Sequence, residues 1–297
     1  MQRAMQRAER RGRAMGGDLH IVLWAPHSAA ERLADLAVRR IELLESCWSR
    51  FRPGSELNRL NVRAGQGHVE VSEDLRRLVT VCSDAFVWSA GDVDATVLGS
   101  MVAMGYSDDF TRVATALPST WVPRSAAGMA GVRIGPRSVS LPAGVGLDPG
   151  GLGKGLAGEI VTTEIADAGA GAVLVCLGGD VVTRGTPPGA DCWQISMRDD
   201  RLDAPTEIRM LELRGAHRAV ATSSTLRRRW AGRHHVVDPR TGLPTDADVV
   251  QATVVADCGW RAEAAATVAL VRGSASTGWL AGLGCTAYLL GPAVAGA

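Results

Sequence analysis

The sequence predicts an α+β fold on three observations. Strand-like and helix-like segments are mixed without a strict β-α-β alternation. After residue 170, "AVLVCLGGD", "WQISMRD" and "TEIRMLELRG" follow one another as strand-like segments with no helical pattern between them. The helix-like segments carry apolar residues at three-to-four spacing behind polar start signals. With 297 residues, 46% hydrophobic and 21% charged, the chain is long enough to bury a large core and has an ordinary globular composition.

Taken in order, the first 14 residues ("MQRAMQRAERRGRA") are predicted to be a basic, solvated arm or a short frayed helix. Residues 15–297 follow as a single domain, because no composition shift marks a linker. "DLHIVLWA" alternates as a strand does. "SAAERLADLAVRRIELLESCWSRF" reads as a helix opened by a Ser28–Glu31 capping box, and "SEDLRRLVTVCSDAFVWSA" as one capped by Ser72. "VRIGPRSVSL" predicts a hairpin closed at Gly135-Pro136, and residues 110–130 a surface insertion. "AGEIVTTEIADAG" is a helix, and "HHVVDPRTGLP" is a loop because Pro239, Gly242 and Pro244 prevent regular structure. "VVQATVVADC" is a strand, "GWRAEAAATVALVRG" a helix, and "TGWLAGLGCTAYLLG" a last helix and strand.

A net charge of +1 gives no reason to expect nucleic acid or a membrane surface as partner. The basic run "LRRRW" (Leu226–Trp230) reads as a solvated face, or as a contact for an acidic patch on a protein substrate. Six scattered cysteines without a CxxC pair predict free thiols rather than disulfides or a zinc site. No run approaches the ~20 apolar residues of a transmembrane span, and no signal-peptide core follows the basic start, so a cytoplasmic location is expected.

The chain has one lysine, Lys154, and it sits in "LDPGGLGKGLAG". A P-loop needs Ser or Thr after Gly-Lys and a glycine where Asp148 stands, so that reading fails. Gly153, Gly155 and Gly158 satisfy GxGxxG, but proline interrupts the strand that should precede it. An anion-binding helix start of another kind remains: glycines let N–H groups approach a phosphate, and a lysine adds a compact point charge. Glu263 and Thr267 stand four apart on a predicted helix, which puts two oxygen donors suited to magnesium on one face. His235 has an intrinsic pKa suited to proton transfer near neutrality.

Together, "AMGG" (14–17), "FRPGSELNRLN" (51–61), "GDVDATVLGSMVAMGY" (91–106), "LDPGGLGKG" (147–155), "VCLGGDV" (175–181), "ATSS" (221–224), "HHVVDPRTGLP" (234–244) and "AEAAAT" (262–267) resemble the ApbE family, the FAD:protein FMN transferases, in motif order. The resemblance implies mixed or antiparallel sheets with flanking helices, and a nucleotide cleft between two lobes. It implies a Mg2+-dependent transfer of FMN from FAD to a threonine or serine hydroxyl of a partner protein, with release of AMP. It implies FAD contacts from Met15, Phe51, Asp92, Val93, Asp94, Asp148, Lys154 and Val236. Magnesium ligands would be Glu263, Thr267 and the main-chain oxygens of Gly151 and Ala266, and His235 would orient or deprotonate the acceptor. FAD hydrolysis, with water as acceptor at the same site, stands as one alternative. Gly17, Val93, Ala95 and Glu263 depart from the family's usual residues, so flavin binding without turnover stands as another.

Overall fold

A computed structural model describes residues 5–112, 122–201 and 206–292. Strand β1 (Met5–Ala14) pairs with β2 (Gly17–Pro26) across a two-residue turn, Met15-Gly16. Both turn residues have positive φ (51° and 73°), as the twist of such a hairpin demands. The predicted solvated arm is therefore corrected over residues 5–14. Its alternating arginines face outward while Ala8 and Ala14 are buried, a period-two pattern that the basic composition conceals.

Helix α1 (Ala30–Trp48) follows, but without the expected capping box. Ser28 lies in the turn closed by Ala29 N–H donating to the Pro26 carbonyl, so the helix starts one residue late with Ala29 as an uncapped N-cap. Next come α2 (Glu56–Val62), β3 (Val69–Glu70) and α3 (Glu73–Trp88), the last capped by Ser72 as predicted. A short α4 (Leu98–Ala103) precedes the hairpin β4 (Arg133–Ile134) and β5 (Ser138–Ser140), which forms a three-stranded sheet with β3. Of the predicted surface insertion, residues 113–121 lie outside the described residues.

Helix α5 (Gly153–Asp167) begins inside the glycine loop. After it come β6 (Ala172–Leu177), β7 (Asp180–Arg184), β8 (Trp193–Asp199), β9 (Thr206–Leu213) and β10 (His217–Ser224). The pair β11 (Arg229–Trp230) and β12 (Arg233–His234) leads into the Pro-Gly loop. Then β13 (Gln251–Ala256), α6 (Gly259–Arg272), α7 (Thr277–Gly282) and β14 (Thr286–Leu290) complete the chain.

A seven-stranded sheet in the order β1-β2-β6-β7-β10-β13-β14, antiparallel at every pairing, organises the molecule. Side chains of a strand alternate between faces, and here both faces are covered. Ile21, Leu23, Val173 and Val175 pack beneath α1 and α5, whereas Val22, Leu174, Val181 and Val220 pack against β8 and β9. That double burial is why "HIVLWA" and "AVLVCL" read as nearly continuous apolar runs.

Helices α5 and α6 cross at Gly155 and Gly259. A Cβ on either would collide with the other's backbone carbonyl. Neither helix has a side-chain cap of its own. Instead each caps the other: Gly155 N–H donates to Glu263 Oε2 (2.8 Å), and Gly259 N–H donates to Glu159 Oε2 (2.9 Å). Both helices thus open with Gly-x-x-x-Glu, and each glutamate satisfies an orphan N–H at its neighbour's start. Among the described residues all six cysteines are free thiols, and no helix is long and apolar enough to cross a membrane.

Candidate functional site

The glycine loop, the β6–β7 turn and the first turn of α6 meet at one end of a cavity of about 930 Å³. Its walls come from the start of β2, the 92–95 loop, β8, the end of β10 and the 235–239 loop. Gly17 is required where β2 enters, because a Cβ there would stand 2.6 Å from the Gly178 Cα.

Lys154, on the first turn of α5, points between two buried carboxylates. Its ammonium donates to Asp180 (2.7 Å) and to Glu263 Oε1. Burial opposes the charge on Lys154, but the two carboxylates outweigh it and raise its pKa. Burial pushes the Glu263 carboxyl up, against the pull of Lys154. Asp180 also accepts from Thr222 N–H (3.1 Å), which ties the triad to β10.

Thr267 lies one turn beyond Glu263 and lines the same cavity, with its Oγ1 3.3 Å from where a Cβ on Gly151 would stand. Glu263, Thr267 and the nearby main-chain carbonyls are a hard, all-oxygen donor set of the kind magnesium takes. In chemistry and adjacency these residues fit the ion, although Glu263 is engaged by Lys154 and by Gly155 N–H. Among the described residues no group of three or more His, Cys, Asp or Glu side chains is placed to hold a metal.

His235 forms part of the wall above this triad. Its Nδ1 is enclosed and has no hydrogen-bond partner, while the ring donates to the Arg227 backbone. Burial, followed by the charges of Arg228, His234 and Lys154, lowers its pKa to about 3. The ring is therefore neutral at pH 7.

The other sequence-predicted residues divide into two sets. Phe51, Val93, Asp94, Asp148, Gly151 and Val236 all line the cavity. Asp94 caps the turn at 95–97, accepting from Thr96 N–H (2.8 Å) and Thr96 Oγ1 (2.7 Å). Asp92 reaches the cavity, but both its oxygens pair with arginines, Arg272 of α6 and Arg240 of the 238–244 loop (3.1 Å). It acts as a bolt between three segments. Met15, at the β1–β2 turn, packs against the core beside the cavity, and Ala266 is buried within α6.

Three residues of the site escaped the sequence reading. Asp180 ends the noticed Gly-Gly-Asp stretch, and only the fold shows that it faces Lys154. Arg50 pairs with Asp148 (2.8 Å) and stacks on Phe51 and Tyr106 (4.1 and 4.4 Å to the ring centres). Arg228 was one of three identical arginines in the basic run. The structure sends Arg227 to Asp200 (2.6 Å), turns Arg228 into the cavity and leaves Arg229 exposed.

The ApbE family's sequence model matches residues 15–289. An FAD:protein FMN transferase of Treponema pallidum (strain Nichols) is 27% identical over 268 residues, spanning 83% of this chain and 72% of that protein. An FAD:protein FMN transferase of Klebsiella pneumoniae (strain 342) is 32% identical over 119 residues, 38% of this chain and 34% of that one. Among solved structures, the ApbE protein of Thermotoga maritima MSB8 superposes with a TM-score of 0.80 at 24% identity, covering 96% and 94% of the two chains. The flavin transferase ApbE of Vibrio cholerae gives 0.79 at 20% identity over 97% and 94%. These superpositions bear out the α+β fold with antiparallel sheets and flanking helices, and the match over residues 15–289 makes the chain a member of the ApbE family.

Proposed function

We propose that this transferase moves FMN from FAD to a threonine or serine hydroxyl of a partner protein and releases AMP, with Mg2+ bound at Glu263, Thr267 and the main-chain oxygens of Gly151 and Ala266. The observation that carries the reading is the meeting of the glycine loop, the buried Lys154–Asp180–Glu263 triad and the unpartnered Nδ1 of His235 in one cavity. Phe51, Val93, Asp94, Asp148 and Val236 would shape the flavin-nucleotide seat, with Met15 and Asp92 behind it. Asp148, already held by Arg50, would accept from an adenine or ribose donor. His235, neutral at pH 7, would take the proton of the acceptor hydroxyl at Nδ1. A bound magnesium ion would supply charge neutralisation to the pyrophosphate oxygens. Six free cysteines suit a reducing compartment, which supports a cytoplasmic setting.

The test incubates the full chain with FAD and Mg2+, with and without a peptide bearing an acceptor threonine. AMP together with a peptide heavier by one FMN group is the expected result, and chelation of the metal should abolish it. AMP without peptide would make the protein a hydrolase. Tight FAD binding with neither product would leave a flavin-binding protein.

A further inference from the structure

We propose that Arg228 grips the flavin-bearing phosphate of FAD, making it the cation that meets the transferring phosphoryl group. The inference rests on the transferase reading for its substrate, and it assigns a residue that no motif in the sequence singles out.

Lys154 carries one positive charge between two carboxylates, so that triad sums to −1 and offers no spare cation to an anionic ligand. Arg50 is spent on Asp148 and Arg227 on Asp200. Arg228 lines the same cavity, and among the described residues no carboxylate or hydrogen-bond acceptor engages its guanidinium. Arg198 of β8 also lines the cavity without a carboxylate, but it is exposed whereas Arg228 is half-buried.

Arg228 has φ 47°, in the left-handed region that costs a non-glycine residue roughly 1 kcal/mol or more. That backbone turns the side chain inward, whereas Arg227 runs to Asp200 and Arg229 is exposed. Its Nη2 lies 3.6 Å from where a Cβ on Gly16 would stand, which places the guanidinium against the β1–β2 turn. Its charge also bears on His235, as does that of Lys154, and all three line the cavity.

A guanidinium presents a planar fork that matches two phosphate oxygens, which a lysine cannot do. In the transfer, the acceptor hydroxyl oxygen bonds to the flavin-side phosphorus. The bond from that phosphorus to the bridging oxygen breaks, and the bridging oxygen leaves with AMP. The hydroxyl proton passes to His235 Nδ1 and then to water. Arg228 would hold the non-bridging oxygens, where charge accumulates. A phosphate there would also offset the positive charge that now disfavours protonation of His235.

The experiment titrates the full chain with FMN and with riboflavin, which lacks the phosphate, following flavin fluorescence. The wild type should prefer FMN. Arg228→Ala should lose at least about tenfold of that preference with riboflavin affinity unchanged, and Arg228→Lys should retain part of it. Single-turnover AMP release from FAD should fall roughly 10²–10³-fold in Arg228→Ala. Should the alanine variant fail to fold, Arg228→Gly suits the backbone and repeats the test. An unchanged FMN-to-riboflavin ratio in the variants would overturn the assignment. A wild type that releases no AMP would sink the transferase reading, yet the binding ratio would still decide Arg228.

Discussion

Lys154 is one positive charge between two buried carboxylates, and that count predicts an order among its variants. Lys154→Ala leaves Asp180 and Glu263 facing each other unneutralised and should cost about 3–5 kcal/mol in urea denaturation. Glu263→Gln leaves a one-to-one Lys154–Asp180 pair and a cap still able to accept, so its cost should stay near 1 kcal/mol. Equal losses in the two would show that charge balance does not govern the triad. His235 gives a pH prediction of definite sign. Its folded pKa of about 3 lies below the ordinary 6.5. Above pH 6.5 the ring is neutral in both states and contributes nothing. Below it the unfolded chain binds a proton that the fold refuses, so stability falls as pH drops from 6.5 towards 3, by at most about 1.4 kcal/mol per pH unit. Denaturation midpoints at pH 7 and pH 5 should therefore differ more in the wild type than in His235→Gln. At this scale the sequence was legible where a residue type was rare or its spacing local. The lone lysine and the four-residue step from Glu263 to Thr267 both led to the cavity. Asp180 and Arg228 were not, because their roles depend on where a strand end and a left-handed residue point.

The reciprocal clasp of α5 and α6 places Lys154 beside Glu263, and it tolerates no side chain at its crossing. Gly155→Ala and Gly259→Ala should each destabilise by about 1–3 kcal/mol, because the new methyl meets backbone rather than a yielding side chain. Gly153→Ala, where nothing lies within 4 Å, is the control and should be neutral or slightly stabilising. Thermal midpoints of the three variants check this, and a Gly155→Ala protein as stable as the control would remove the clasp from the account. Many elements could be read from periodicity and punctuation: β2, α1, α3, the β4–β5 hairpin, β6, β8, β9, β13, α6, and the last helix and strand. Others could not, among them α2, β7, β10, β1 and the start of α5. β1 hid behind a basic, arginine-rich pattern because its polar positions face solvent on an edge strand. The start of α5 hid within the glycine loop because its cap comes from another helix, 108 residues away along the chain.

For the whole molecule, the cavity is walled by the sheet, the glycine loop, α6 and β8 together, so a ligand that fills it bridges segments that separate on unfolding. FAD at about a hundred times its dissociation constant should add about 2.7 kcal/mol to stability, read as a raised thermal midpoint. Absence of any shift with FAD present would argue against a flavin nucleotide in this space. The single lysine has a last consequence, for proteolysis. A protease that cuts only after lysine has one target here, the Lys154–Gly155 bond, and it lies inside the clasp with the Lys154 side chain 18% exposed. The folded protein should resist such a protease and, once α5 opens, yield two fragments, residues 1–154 and 155–297. The rate of that one cut would report how often the α5–α6 junction comes apart, and a bound ligand should slow it.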